Sequence, residues 1–437
     1  MNNLERVKKI FKHQKVDRVP FFELVLNSNV FKDIFSREGI ICNASGQTSL
    51  SFFETLFGSL DGKFYLSDFK SKLDKRIEEF MLRAIENIIN LYQKLDIEMI
   101  PFRPYDFLIS PFYRIYLGFS ENIDNIKLEI NKREDGTLEW KIENSEGFWS
   151  RYRFEEKQDT VFMINDCIKE KGEKELKRFV KYLRKTIPVE IDNNLDFLDS
   201  SRLQYKTASK YYKKVMELKS KNKNNFFSVG YASIPYPSNA TFHPIFLELM
   251  ITNPSLINDY FETTIQEVLN LARVQILEGV DAIIDVTDWC YNSGPMFSPS
   301  FMKKFIVPYL KKVVNLCHDN GIYYIKHLDG NTNSILPILV EDVEIDGLHG
   351  IESSSGVNIK DIKKRYGNNI TLIGDVDCSK LLIFGTKEEI FSEVKYLIEN
   401  VSINGGHILS SSNSIHSGVP TVNLLHMLEA RDMYGKL

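Results

Sequence analysis

Residues 253–286 read NPSLINDYFETTIQEVLNLARVQILEGVDAIIDV, and the architecture of the chain follows from this stretch. Asn253 before Pro254 is an N-cap with proline at the first helical position, and Gly279 after Glu278 is a C-terminal stop, so a long helix is predicted between them. Val280 to Val286 is then a short apolar run rich in β-branched residues, the pattern of a strand buried on both faces. The unit repeats downstream. Ser298 caps, Pro299 opens a helix towards Asn320 with Pro308 placed to kink it, Gly321 stops it, and Ile322 to Lys326 is the next strand.

Further strands are predicted at Ile345 to His349, Ile370 to Ile373 and His407 to Ser410. The N-terminal half has the same grammar with interruptions: a helix over Leu4 to His13, then strands at Arg18 to Leu24 and Ile97 to Pro101. Strands separated by helices imply right-handed βαβ units and a parallel sheet, open or closed. Ile126 to Phe162 alternates polar and apolar residues around Asp135-Gly136 and Glu146-Gly147, which predicts an antiparallel meander inserted on the rim. Leu176, Phe179, Val180 and Leu183 mark an amphipathic helix, and Lys206 to Lys223 is expected to be a solvated helix and loop.

Composition narrows the function classes. The 437 residues are 43% hydrophobic and 26% charged with a net charge of −4, an ordinary globular balance without the basic field that nucleic acid or an acidic membrane surface would call for. The expected partner is a small molecule. No apolar run approaches the ~18 residues of a membrane span, and Met-Asn-Asn-Leu-Glu followed by lysines is unlike a secretory signal, so a cytoplasmic location is expected. Cys42, Cys167, Cys290, Cys317 and Cys378 form no CxxC pair and read as reduced, buried thiols. Walker A, GxGxxG, HExxH and GxSxG motifs are absent, which argues against nucleotide, dinucleotide, zincin and α/β-hydrolase chemistry.

Ionisable residues gather at the C-terminal ends of the predicted strands: Glu23, Asp285, Asp288, His327, Asp329, Glu352, Asp375 and Asp377. In barrels of alternating strands and helices that end builds the active site. His327-Leu328-Asp329-Gly330 is the sharpest feature, because residues two apart in an extended segment point the same way and can reach one ion or one substrate. Three roles stay open for it: metal ligands, a general acid/base pair, and a histidine satisfied by a carboxylate. Trp289 and Tyr291 add an aromatic wall beside Asp288. His13, His243, His318, His349, His407, His416 and His426 have no paired spacing and receive no assignment.

Taken together, these segments resemble the uroporphyrinogen decarboxylase superfamily, which also contains corrinoid-dependent methyltransferases. The resemblance is carried by Glu5-Arg6-Val7, by Asp17-Arg18-Val19-Pro20, and above all by the ordered blocks EGVDAIIDVTDW, SGPMFSPSFMKKFIVPYLKKVV, HLDGN, TLIGDVD, GTKEEI and GVPTVNLLHMLEA between Glu278 and Ala430. It implies an α/β fold, a (β/α)8 TIM-type barrel over 1–437 as one domain, with the β insertion at 126–162.

In the methyltransferase branch a histidine, a cysteine two residues later and a distant cysteine hold zinc. His327 matches the histidine, Asp329 stands at the first cysteine, and Asn413 falls near the second. The decarboxylase branch holds its tetrapyrrole with an N-terminal arginine cluster, where this chain reads Phe21-Phe22-Glu23-Leu24, and with an aspartate that Asp96 would match.

The expected function is methyl transfer between a small methylated substrate and a corrinoid held by a partner protein, with zinc or another divalent metal. The alternatives are uroporphyrinogen decarboxylation without a cofactor and a non-catalytic corrinoid-binding barrel. The residues expected to act are His327, Asp329 and Asp288 in catalysis, and Asp285, Trp289, Tyr291, Glu352 and Asn413 on substrate. His327, Asp329 and Glu23 are the expected metal ligands.

Overall fold

The computed structural model describes residues 1–37, 62–65, 70–103, 126–135, 137–155, 160–187, 203–222, 225–234 and 244–436. Cys42, Gly136, Lys223 and His243 lie outside the described residues. In chain order the strands are β1 (Gly62–Tyr65), β2 (Met99–Pro101), β3 (Lys127–Lys132), β4 (Leu138–Glu143), β5 (Trp149–Glu155), β6 (Thr160–Asp166), β7 (Phe227–Tyr231), β8 (Ala282–Asp285), β9 (Cys290–Tyr291), β10 (Gly294–Pro295), β11 (Tyr323–His327), β12 (Gly347–His349), β13 (Thr371–Val376) and β14 (His407–Ser411).

Seven of them form one parallel sheet in the order β14-β13-β12-β11-β8-β7-β2. The extended segment 20–22 joins its two edges, since Phe21 bridges Leu409 of β14 and Phe22 bridges Met99 of β2, both in parallel. An eighth staves position thus closes the sheet, removing both of its free edges. A separate antiparallel sheet has the order β1-β3-β4-β5-β6, with β3 to β6 falling between β2 and β7 in the chain. The expected meander is present, runs on to Asp166, and recruits Gly62–Tyr65 at its edge.

The sequence punctuation acts as expected around the long helix Pro254–Glu278. The Asn253 side chain accepts from the Leu256 N–H, and Gly279 turns left-handed at φ 101°. The next helical stretch departs from expectation. It is two helices, Pro299–Phe305 and Val307–Asp319, broken at Ile306 rather than bent at Pro308. Pro308 lacks an N–H and sits comfortably only in a first turn, so the chain restarts the helix just ahead of it. The lysine-rich stretch forms the helix Leu203–Ser220 with a buried face of Tyr205, Ala208, Tyr211, Tyr212 and Val215. Lys219 is not solvated: it is buried against Asp281 and Ser228.

Alternation along the parallel strands decides what faces the barrel. Phe22, Met99, Phe227, Val229, Tyr231, Ala282, Ile284, Ile325, Ile373 and Ile408 pack as an inner cluster, while Phe21, Ile283, Tyr324 and Leu372 belong to the outer layer against the helices. The helix Asn3–Phe11 plugs the N-terminal end, with the Phe11 ring stacked on Tyr323 at 4.4 Å and on Phe227 at 5.6 Å. A buried charge cluster seals the same end. Glu98 accepts from Arg18 at 2.7 Å and from the Phe21 N–H at 2.8 Å, with Arg6 and Arg431 at 3.3 and 3.5 Å. The C-terminal ends of the strands are left to form the mouth. Cys167, Cys290, Cys317 and Cys378 are buried and form no disulfide among the described residues. Among the described residues no helix is long and apolar enough to cross a membrane.

Candidate functional site

His327 ends β11 on the inward side, two residues beyond Ile325, and Asp329 follows in the loop. Its Nε2 lies 3.3 Å from Asp329 Oδ1 and 4.0 Å from Asp288 Oδ1. Asp288, His327 and Asp329 each offer one ligand atom, and these atoms lie within 4.8 Å of one another. The far oxygen of Asp329 accepts from Asn413 Nδ2 at 2.6 Å, and its N–H donates to Asp288 at 3.2 Å. Asp329 Oδ1, by contrast, is buried without a hydrogen-bond partner. Glu352 accepts the Gly330 N–H at 2.8 Å and the Ser355 hydroxyl at 3.1 Å, fixing the loop. Gly330 is left-handed, and a Cβ there would stand 2.7 Å from the Tyr291 carbonyl oxygen, so only glycine lets the half-exposed Tyr291 close over the loop.

Charge balance in this cluster is set by burial. Burial, helped by the Lys326 and Arg103 charges and opposed by Asp288, lowers the His327 pKa to about 4, so the imidazole is neutral at working pH. Burial and the neighbouring Asp288 and Glu352 charges raise the Asp329 pKa to about 8, against the Asn413 hydrogen bond. The site therefore joins a neutral imidazole to a carboxyl group whose ionised form burial disfavours.

Other expected site residues are placed elsewhere. Asp285 shares the outward parity of Ile283 and is fully buried against Lys326, whose Nζ donates to its Oδ1 at 3.0 Å and to the Thr287 carbonyl at 2.6 Å. Asp285 also accepts from the Tyr324 hydroxyl at 3.1 Å. Trp289 is fully buried, and the Lys326 ammonium sits 4.2 Å from its ring centroid. The chain's own lysine thus occupies the ring face that a substrate would need, and Asp285, Lys326 and Trp289 form a support layer outside the barrel wall. Asp96 lies at the plugged end, ion-paired with Arg18 at 2.6 Å.

Glu23 stands apart from the triad. Its two oxygens meet the Ser411 N–H at 2.8 Å and the Ser411 hydroxyl at 2.7 Å, which extends the ladder between segment 20–22 and β14 by a side-chain rung. Burial raises its pKa to about 8 from 4.5. A carboxyl whose folded-state pKa is raised contributes stability that is full below pH 4.5 and lost as pH rises through about 8. Stability is expected to fall across that window by on the order of 2 kcal/mol once relaxation is allowed for. Glu23→Gln keeps one acceptor and one donor for Ser411, so urea midpoints measured from pH 5 to 8 should show that decline flattened with the fold intact.

His349 and Ser410 join the site unannounced by residue spacing. The His327 and His349 Nδ1 atoms are 2.7 Å apart, and His349 Nε2 is 3.2 Å from Ser410 Oγ. The available signal was positional: His349 ends a predicted strand, and β11–β12 pairing sets it level with His327. Arg103, just beyond β2, lies with its guanidinium 4.3 Å from the Tyr231 ring and was likewise not singled out.

The family model described as uroporphyrinogen decarboxylase (URO-D) matches residues 239–434, the stretch that holds the triad. Relatives of this stretch carry two kinds of name. Uroporphyrinogen decarboxylase 2, chloroplastic, of Oryza sativa is 23% identical over 184 residues, 42% of this chain and 44% of that protein. The methylcobamide:CoM methyltransferase MtbA of Methanosarcina acetivorans is 30% identical over 165 residues, 37% of this chain and 45% of that protein. The matches span less than half the length of these curated relatives. A solved methyltransferase from Methanosarcina mazei shares the fold over 99% of both chains, with a TM-score of 0.60 and 15% identity. The likeness to the URO-D family model thus covers the stretch with the triad, the likeness of fold covers the whole chain, and the relatives include decarboxylases and methyltransferases by name.

Proposed function

We propose that this chain is an enzyme of the methyltransferase kind, passing a methyl group between a small methylated substrate and a corrinoid carried by a partner protein. The observation that carries the reading is the convergence of Asp288, His327 and Asp329 at the mouth of the barrel. One imidazole nitrogen and two carboxylate oxygens, of which Asp329 Oδ1 is buried without a hydrogen-bond partner, are a donor set that fits a divalent cation. The three side chains would hold it, and with no thiolate among them the set suits zinc and also harder divalent metals. Such an ion supplies Lewis acidity towards the heteroatom that gives or takes the methyl group.

The chain's own residues prepare the site. Asn413 anchors the far oxygen of Asp329 and turns the near one to His327, while Glu352 pins the backbone of Gly330. Tyr291 and Asp288 are partly open to solvent and line the route by which a substrate would arrive. Decarboxylation of a tetrapyrrole with many carboxylates is disfavoured by the same residues. Arg6 and Arg18 are engaged with Asp17, Asp96 and Glu98 at the plugged end, and the mouth presents Asp288, Asp329 and Glu352.

The test is elemental analysis of protein purified without chelators, followed by titration with Zn(II) and Co(II). About one equivalent per chain is expected, lost in His327→Ala. Because a proton and a cation compete for Asp329, affinity should rise with pH up to about 8 and level off above it. Added cobalamin should then change between its Co(I) and methyl spectra in the presence of a methylated donor. No uptake of metal and no spectral change would leave decarboxylation or corrinoid binding without turnover in its place.

A further inference from the structure

We propose that His349, with Ser410 behind it, is a positioning residue that holds His327 in the tautomer whose Nε2 lone pair faces Asp288 and Asp329. The inference rests on the reading that this triad takes a cation. Its geometry begins with backbone register. β11 and β12 pair in parallel with His327 opposite His349, so the two rings leave neighbouring strands at one level and meet through Nδ1 at 2.7 Å. Two imidazole nitrogens facing each other can bond only when one carries a hydrogen and the other a lone pair.

Two arrangements of hydrogens satisfy that contact, and they differ at the open end. With the His327 hydrogen on Nδ1, it donates to His349 Nδ1, and the His349 Nε2–H is left for Ser410 Oγ at 3.2 Å. With the hydrogen on Nε2 instead, it would need an acceptor in the triad. Asp329 Oδ1 is 3.3 Å away yet makes no hydrogen bond, and Asp288 Oδ1 is at 4.0 Å. That arrangement aims a hydrogen at an oxygen that makes no hydrogen bond, and it removes the lone pair a cation would need. The first arrangement leaves only a lone pair and a carboxylate oxygen turned towards one point, which is what a cation requires.

The surroundings hold the ring pair in place. Phe22 meets the His349 ring edge-on at 5.3 Å, and Gly350 is left-handed at φ 83° where a Cβ would stand 2.9 Å from His327 Nδ1. Only a residue without a side chain leaves room for the two rings to touch. His349 touches neither cation nor substrate in this scheme and acts through His327.

Two measurements on the full chain test the assignment. In Co(II) titrations followed by visible absorption, His349→Phe keeps a ring but removes the acceptor, and binding should weaken about 10- to 100-fold. His349→Gln restores an acceptor and should recover most of that loss, whereas a merely structural role would leave both variants alike. Equal Co(II) affinity in wild type and His349→Phe would overturn the proposal, as would Gln binding no better than Phe.

The second measurement needs neither metal nor a variant that folds. ¹⁵N-histidine NMR of metal-free wild type should show His327 protonated at Nδ1 and bare at Nε2. A hydrogen on His327 Nε2 would overturn the assignment. If wild type takes up no Co(II) while the ¹⁵N spectrum shows the Nδ1–H form, the metal reading fails and the tautomer assignment stands.

Discussion

Lys326→Ala is expected to lower the unfolding free energy by about 3–5 kcal/mol, the scale for stranding one partner of a buried ion pair. Lys326 and Asp285 are both fully buried, and the lysine's hydrogen-bond acceptors are Asp285 Oδ1, the Asp285 carbonyl at 3.5 Å and the Thr287 carbonyl at 2.6 Å. Removing it leaves an uncompensated carboxylate beneath the loop that carries Asp288, and takes the ammonium from the Trp289 ring. Replacing both partners at once, as Asp285→Asn with Lys326→Met, should cost less than the sum of the two single changes, because no charge is then left alone. Urea unfolding of the two single variants and the double variant measures this. A Lys326→Ala loss below about 1 kcal/mol would mean that water reaches the pair, contrary to its burial.

His327→Ala is expected to reduce turnover of the folded protein by roughly 10²–10⁴-fold, the range for losing a positioned acid–base or ligand imidazole, alongside a stability loss of about 1–3 kcal/mol from the buried His349 nitrogen left unpaired. The informative comparison is His407. Both histidines are buried and both have pKa values lowered to about 4 by burial, so titration behaviour does not separate them. Their partners do. His407 bonds Ser402 Oγ at 2.7 Å and the Gly374 carbonyl at 2.9 Å, which leaves no ring nitrogen free, whereas His327 Nε2 faces two carboxylates. His407→Ala should therefore lower stability and leave the turnover of the folded fraction near wild type. Parallel kcat and urea measurements on the two variants check the contrast. Equal kcat in wild type and His327→Ala would remove His327 from the chemistry.

The amino-acid sequence alone determined the sequence of strands and helices in the C-terminal half, because that information is local. Asn253, Pro254 and Gly279 place the ends of one helix through their own backbone preferences, and seven-residue apolar runs mark buried strands wherever they occur. The clustering of polar residues at strand ends was legible for the same reason, and His327 with Asp329 lay within it. Tertiary structure alone decided which of those residues share a cavity. Asp285 and Asp288 are three residues apart, yet strand alternation sends the first outwards to Lys326 and the loop brings the second to His327. Glu23 meets Ser411 across 388 residues of chain, and His349 meets His327 through the register of neighbouring strands. Such contacts depend on how a closed sheet brings distant strands to one level, and no local preference in the chain encodes that alignment.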